Sequence, residues 1–543
     1  MRAFLIGAAT IALLAACDDG PAEATSQAPQ TTRPEIAPAP NARSLPQALK
    51  DGDAQPVQVV GTYLRRIELL DDSGPKIQAV IAVNPEAVSQ AQALQQAAAK
   101  GEEPGLLYGL PILVKDNIET TEMPTTAGSM ALKSNMTRRD APAIARLREA
   151  DAIILGKTNL SEWANFRSSQ SVSGWSAVGG LSRNPHDLTR NTCGSSSGSG
   201  AAVAAGLAWG ALGTETNGSV ICPSASNGIV GFKPTVGLVS RYRVVPISPS
   251  QDTIGPMATS VRDAAMILTA LAGSDDNDRA TEEADARRTD YVAALEGASL
   301  EGLRLGVLRW AQSDDPREQA VFEEALRRAE DAGAILVDID AFPGEVNGGD
   351  AFTVLKAEFK ASLNEYLADA APEVETRTLT DLIAFNEANK REMALFGQDI
   401  LIDSDAMPGL DDQGYLDAVA AIQKGTREDG IDRMLAEHGV DLLVAPSFGP
   451  AFKIDLVRGD VIANSAGAGW TAAIAGYPHL TIPMGNVKGL PLGFSIMGTK
   501  WDDADVLAAG HAMEQVLPPR LVPTFRNGIE SDPVVNEAIK TSL

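Results

Sequence analysis

Twice in this chain a segment of helical period runs straight into an apolar segment of strand length. Ala141 to Ala150 precedes Ala152 to Gly156, and Gln319 to Ala332 precedes Ala334 to Val337. Val57 to Leu70 and Pro85 to Lys100 carry the same helical patterning, and Leu110 to Val114 reads as a buried strand. Strands separated by helices require a sheet covered on both faces, so the order of elements places the chain in the α/β class. With 543 residues, 44% of them hydrophobic, it can bury a large core. Length alone would suggest three or more domains. Residues 351–433 break the alternation: they are helical and charged, with Met393, Leu395 and Phe396 set among polar residues.

Three short stretches carry the chemistry. In Gly109-Leu-Pro-Ile-Leu-Val-Lys115-Asp-Asn117, the lysine closes the buried strand, so its amine loses much of its hydration. Desolvation disfavours the charged form, and an amine brought to roughly 7–8 can take a proton from a hydroxyl. A plain surface lysine at a strand end is the alternative. Cys193-Gly-Ser195-Ser-Ser-Gly-Ser-Gly200 has the composition of a linker, yet it passes directly into Ala201-Ala-Val-Ala-Ala-Gly-Leu207, a small-residue helix that must pack closely on something. Backbone N–H groups ahead of such a helix favour an anion. Ser219, in Gly213-Thr-Glu-Thr-Asn-Gly-Ser219-Val-Ile-Cys-Pro223, follows Asn217-Gly218 and sits on a turn whose exposed amides suit an oxyanion.

Jointly, and in this order, these stretches resemble the amidase signature family. The resemblance continues in Pro124-Thr-Thr-Ala-Gly-Ser129, Gly231-Phe-Lys-Pro-Thr-Val-Gly237, Ser250-Gln-Asp-Thr-Ile-Gly-Pro256, Gly476-Tyr-Pro and Gly489-Leu-Pro-Leu-Gly493, so it spans roughly Ser44 to Leu517 as one unit. It implies a single α/β/α sandwich around a mixed, mostly parallel twisted sheet over 44–543, with residues 351–433 as a helical lid or, equally, a peripheral layer. It also implies a catalytic set in which Lys115 is the base, Ser195 a bridging serine in a cis peptide and Ser219 the nucleophile. The backbone N–H groups of Thr216, Asn217, Gly218 and Ser219 match the oxyanion hole. Thr158, Asn159, Glu162 and Trp163 fall in a segment that approaches the substrate in related enzymes. Thr126, Gly128 and Asp252 match motifs that shape the site, and Asp116 either steadies Lys115 or caps a turn.

Ile221 stands where many members carry arginine, and the serine run opens with Cys193. Both features, with Gly213-Thr-Glu-Thr and Val236-Gly-Leu-Val-Ser-Arg241, resemble the bacterial peptide amidases, which remove the C-terminal amide from peptides. The activity so implied is hydrolysis of a carboxamide with release of ammonia, without cofactor or metal. Small aryl or alkyl carboxamides are the alternative substrates, and a catalytically inactive, membrane-tethered binding protein is the alternative class. The four histidines are scattered and suggest no metal site. Gly194-Ser-Ser196-Ser-Gly198 formally matches the α/β-hydrolase elbow, but the residues before it are loop-like, where that elbow needs a strand. Ser73-Gly-Pro-Lys76 matches Ser-x-x-Lys by chance, in a polar turn. The glutamyl-tRNA amidotransferase subunit shares the motifs, but a formal charge of −26 opposes a nucleic acid or anionic-membrane partner.

Residues 1–16 read as a lipoprotein signal: Arg2 gives the positive start, Ala3 to Ala16 the apolar stretch, and Leu14-Ala-Ala-Cys17 resembles a bacterial lipobox. That resemblance implies lipid on Cys17 and, with Asp18 and Asp19 following, retention at the periplasmic face of the inner membrane. A simply secreted enzyme with an incidental Cys17 is the alternative. Residues 17–43, rich in Pro and Ala, read as a disordered tether. Of the three cysteines, Cys193 and Cys222 then remain, and buried free thiols are expected in preference to a disulfide. The oligomeric state is left open.

Overall fold

The computed structural model describes residues 39–462 and 466–541. The expected signal segment, Cys17 and the expected tether up to residue 38 lie outside the described residues. The last residues of the expected tether, 39–43, are held by the body. Trp209 Nε1 donates to the Ala42 carbonyl at 3.0 Å, and Arg43 pairs with Glu514 at 2.9 Å. Residues 39–43, expected in the tether, thus belong with the body that follows.

Eleven strands form one sheet. Their order across it is Val80–Val83, Ile153–Thr158, Pro111–Lys115, Gly210–Glu215, Thr253–Ala258, Val230–Lys233, His479–Val487, Leu490–Met497, Leu442–Pro446, Arg304–Leu308 and Ile335–Ile339. The strands and helices expected at 110–114, 141–156 and 319–337 are present within three residues of their expected limits.

The sheet is mixed, as expected, but parallel pairing is not the majority: four of its ten neighbouring pairs are parallel, two near each edge. The centre is antiparallel throughout. The reason is local. His479–Val487 and Leu490–Met497 are joined by two residues, Lys488 and Gly489, with φ of 50° and 77°. A two-residue turn with positive φ at both positions makes a hairpin, and a hairpin is antiparallel.

The Pro111–Lys115 strand is buried along its whole length and lies between two parallel neighbours. Strands covered on both faces read as continuous apolar runs, which is why Leu110 to Val114 announces itself. Both serine-bearing loops lead into short, fully buried helices, Ser197–Ala204 and Ile221–Asn227. Their small side chains permit the approach: a Cβ on Gly198 would lie less than 3.0 Å from the Ala79 carbonyl oxygen and the Asn159 backbone.

The region expected to be helical forms Gly348–Ala368, Leu379–Ala388, Asp399–Asp405 and Gln413–Thr426. Phe359, Leu363 and Leu367 of the first of these pack with Trp163, Phe166, Val245 and Ile247 in a core of their own. That contact seats the helical layer on the segments after Ile153–Thr158 and before Thr253–Ala258.

Candidate active site

Lys115 ends its strand with a fully buried side chain. Its Nζ lies 2.8 Å from Ser195 Oγ, 2.8 Å from Thr214 Oγ1 and 3.2 Å from the Thr214 carbonyl oxygen. Burial pushes the amine down to about 7, against the opposing pull of the Asp252 and Glu215 carboxylates. A neutral amine has two N–H donors and one lone pair. A neutral amine that donates to the two Thr214 oxygens turns its lone pair to Ser195, whereas a charged one donates to all three oxygens.

Ser195 follows a cis peptide bond from Gly194 and is fully buried. Its carbonyl accepts from Ser161 N at 3.1 Å. The next residue donates its N–H to the Ser219 carbonyl at 3.1 Å, which brings the two serine-bearing turns together. Ser196, the nucleophile of the rival elbow reading, is fully buried, and its Oγ bonds the backbone of Thr214.

Ser219 is 9% exposed and lies on the turn between the Gly210–Glu215 strand and the Ile221–Asn227 helix. Two carboxylates shape that turn. Glu215 Oε2 accepts from Val220 N at 2.7 Å and Ile221 N at 3.0 Å. Asp252 accepts from the Thr216 hydroxyl at 2.5 Å and from the N–H groups of Ile247 and Ser248. Gly218 has φ 85°, a value that glycine adopts without penalty, and the space where a Cβ would stand is open. Among the described residues, none accepts a hydrogen bond from the backbone N–H of Asn217, Gly218 or Ser219. These donors are therefore free for an oxyanion.

A cavity of about 470 Å³ runs beside this constellation. Asn117, Thr214, Thr216, Val245, Ile247 and Asp252 form its inner wall, and Arg139, Arg241, Arg243, Tyr242, Tyr366 and Asp369 its outer part. Sequence reasoning missed Thr214, Asn117 and these outer residues. The period of two along a strand was the available signal, since it puts Thr214 and Thr216 on one face.

The four residues expected to touch substrate are built into the interior instead, and none lines the cavity. Thr158 Oγ1 bonds Ser199 Oγ at 2.8 Å. Asn159 ties down Gly180, Ser182, Ser176 and its neighbour Leu160. Glu162 pairs with Arg167 at 2.6 Å in a buried cluster with Glu392, and burial and Glu392 hold its carboxyl well above the usual range. Trp163 is 1% exposed, in the core shared with the helical layer. Together they support the segment behind Ser195. Asp116 likewise turns from Lys115 to an ion pair with Lys157 at 3.1 Å, and it accepts from the Thr126 hydroxyl.

Cys193 and Cys222 are not free thiols: they form a disulfide with Cα atoms 5.8 Å apart. Among the described residues no group of three or more His, Cys, Asp or Glu is placed to hold a metal ion.

The sequence pattern of the family described as Amidase matches residues 58–507. The chain belongs to the amidase signature family. The native peptide amidase from Stenotrophomonas maltophilia, a solved structure, is 44% identical, with a TM-score of 0.84 over 89% of this chain and 98% of that one. A peptide amidase solved in complex with the competitive inhibitor chymostatin is also 44% identical, with a TM-score of 0.85 over 89% and 98%. A glutamyl-tRNA(Gln) amidotransferase subunit from Carboxydothermus hydrogenoformans is 33% identical over 490 residues, 88% of this chain and 96% of its own. The protein is thus an amidase, a hydrolase of amide C–N bonds.

Proposed function

We propose that this amidase removes ammonia from the C-terminal amide of peptides through an acyl-enzyme on Ser219. The observation that carries the mechanism is the fully buried Lys115 amine 2.8 Å from Ser195 Oγ, on a turn bonded directly to Ser219, with burial lowering its pKa to about 7. Lys115 takes the Ser195 proton as Ser195 takes that of Ser219. The Ser219 oxygen bonds to the amide carbonyl carbon, and the N–H groups of the 216–219 turn hold the negative charge. The C–N bond breaks as the relayed proton reaches nitrogen, and ammonia leaves. Water then adds to the ester, giving its proton to the same relay, and Ser219 departs as the hydroxyl.

The peptide-amide substrate is supported by the identity of 44% to two peptide amidase structures over nearly their whole length. A cavity of about 470 Å³ beside the turn gives room for a side chain or a residue or two of peptide. The test is ammonia release by the full chain from amidated dipeptides, amino acid amides and simple aliphatic and aryl amides. Turnover of the dipeptide amides is expected to dominate. Fast turnover of simple amides with none of peptide amides overturns the substrate, and full activity in Ser219→Ala overturns the mechanism.

The site of action we propose is the bacterial cell envelope, with the protein held by lipid on Cys17. Support comes from the lipobox in the sequence and from the Cys193–Cys222 disulfide, since disulfides persist in oxidising compartments. Cys17→Ala is expected to move the protein from the membrane to the soluble fraction. An unchanged distribution rejects the anchor.

A further inference from the structure

We propose that Cys193 and Cys222 are positioning residues of the amidase reaction: their disulfide holds the Ser195 turn and the Ser219 turn in register, and its reduction slows acylation of Ser219. The inference rests on the reading of Ser219 as nucleophile.

The crosslink sits at the catalytic turns themselves. Cys193 is two residues before Ser195, and Cys222 is three after Ser219. Through the chain they are 29 residues apart, yet their Cα atoms stand 5.8 Å apart. One direct backbone hydrogen bond, Ser196 N to the Ser219 carbonyl, joins the same two turns. The disulfide and that bond close a small ring that contains both serines.

Each turn has a conformation that depends on its surroundings. Cys193 has φ 56°, in the left-handed region that a residue with a side chain adopts only when its neighbours enforce it. Asn191 Oδ1 accepts its N–H, and Ser197 Oγ donates to its carbonyl, both at 2.6 Å. On the other turn, Gly218 at φ 85° has open space where a Cβ would stand, and its carbonyl accepts from Cys222 N at 2.8 Å. A tether from Cys222 to Cys193 therefore fixes a glycine turn that otherwise has wide freedom, within one residue of the nucleophile. Proton relay and attack need reacting atoms about 3–3.5 Å apart, so loss of register falls on the chemical step rather than on binding.

The sulfurs lie under the half-buried Phe448 and against Phe452, and each cysteine is 7% exposed. That residual exposure is the approach a dithiol would use. Reduction breaks the S–S bond, with two electrons and two protons passing from the dithiol, which itself becomes a disulfide. Oxidised glutathione reverses the exchange.

The test compares the full chain untreated, reduced with excess dithiothreitol, and reoxidised, together with Cys193→Ala/Cys222→Ala. Circular dichroism chooses a temperature at which all are folded. The readouts are the rate of Ser219 labelling by a fluorophosphonate, and kcat and KM on an amide substrate. We expect labelling and kcat to fall roughly tenfold or more on reduction, with KM within about twofold, and both to recover on reoxidation. The double variant should match the reduced enzyme and ignore dithiothreitol. Labelling of the folded, reduced enzyme within about twofold of the untreated rate overturns the proposal, even if the melting temperature falls, because a merely stabilising disulfide behaves that way. Two or more free thiols in untreated, denatured chain also overturn it, since Cys17 accounts for one. Ser219→Ala tests the underlying assignment separately: labelling that survives it removes Ser219 as nucleophile and leaves the disulfide measurement readable.

Discussion

Thr214 presents both its hydroxyl and its carbonyl to the Lys115 amine, at 2.8 and 3.2 Å, and the same hydroxyl accepts from Asn117 Nδ2 at 3.0 Å. An uncharged amine there is thereby aimed, since with its N–H groups engaged on Thr214 its lone pair is left for Ser195, as the proposed base requires. Thr214→Val keeps the shape and removes the hydroxyl. We expect kcat to fall about 10- to 100-fold, one misplaced hydrogen bond in a dry site, with KM nearly unchanged. Steady-state kinetics on any amide substrate checks it, and a change confined to KM would make Thr214 a wall of the cavity and nothing more.

The amine at position 115 must be uncharged to act, so kcat/KM should rise with pH through about 7 and level off above it. The same shift has a consequence for stability. Between about 7 and the ordinary lysine value of 10.5, the unfolded chain holds a proton on Lys115 that the folded chain has released. The unfolded state then binds more protons, and stability from this group increases as pH rises across that window. Lys115→Met removes this dependence. Urea titrations of both proteins at pH 7 and pH 9.5 should show the variant losing ground to the wild type at the higher pH. Parallel behaviour would mean that the wild-type amine is charged at neutrality.

The residues proposed to be catalytic are legible in the sequence because each carries its constraint next to it along the chain. Lys115 ends an apolar run, Ser195 lies in a glycine–serine stretch entering an all-small helix, and Ser219 follows Asn-Gly. What is not legible depends on partners far away in the chain. Nothing near Glu162 announces Glu392, and nothing near Cys193 announces Cys222 across 29 residues. The antiparallel centre escapes notice for a different reason. Gly489-Leu-Pro-Leu-Gly493 reads as a family motif, while Lys488-Gly489 is also a two-residue hairpin turn that reverses the strand direction.

The Glu162 cluster makes a direct test of its reassignment from the cleft to the interior. Glu162→Ala leaves Arg167 with Glu392 as its remaining carboxylate and strands the Ala177 N–H, which Glu162 Oε2 now accepts at 2.9 Å. Arg167 keeps a carboxylate partner, so the cost is that of a buried hydrogen-bond donor left without an acceptor, about 1–3 kcal/mol. A fall in melting temperature is expected, with KM of the folded fraction unchanged. A raised KM without loss of stability would return Glu162 to the substrate side.

Two glycines separate packing from chemistry. At Gly198 a methyl group would press into the Ala79 carbonyl and the Asn159 backbone, both immobile parts of the sheet and its connection. Gly198→Ala should therefore yield little soluble protein, with whatever folds retaining KM. At Gly218 a methyl group meets no atom within 4 Å, so the substitution has only the backbone to contend with. Holding alanine at φ 85° costs about 1–2 kcal/mol, less than the stability of an ordinary domain. Gly218→Ala should fold, and any relaxation of its φ rotates the N–H groups of Gly218 and Ser219 away from the oxyanion. The expected result is a folded enzyme with kcat reduced about 10-fold or more, the scale of losing one oxyanion donor in part. A fully active Gly218→Ala would show that those two N–H groups are not the donors that stabilise the reaction.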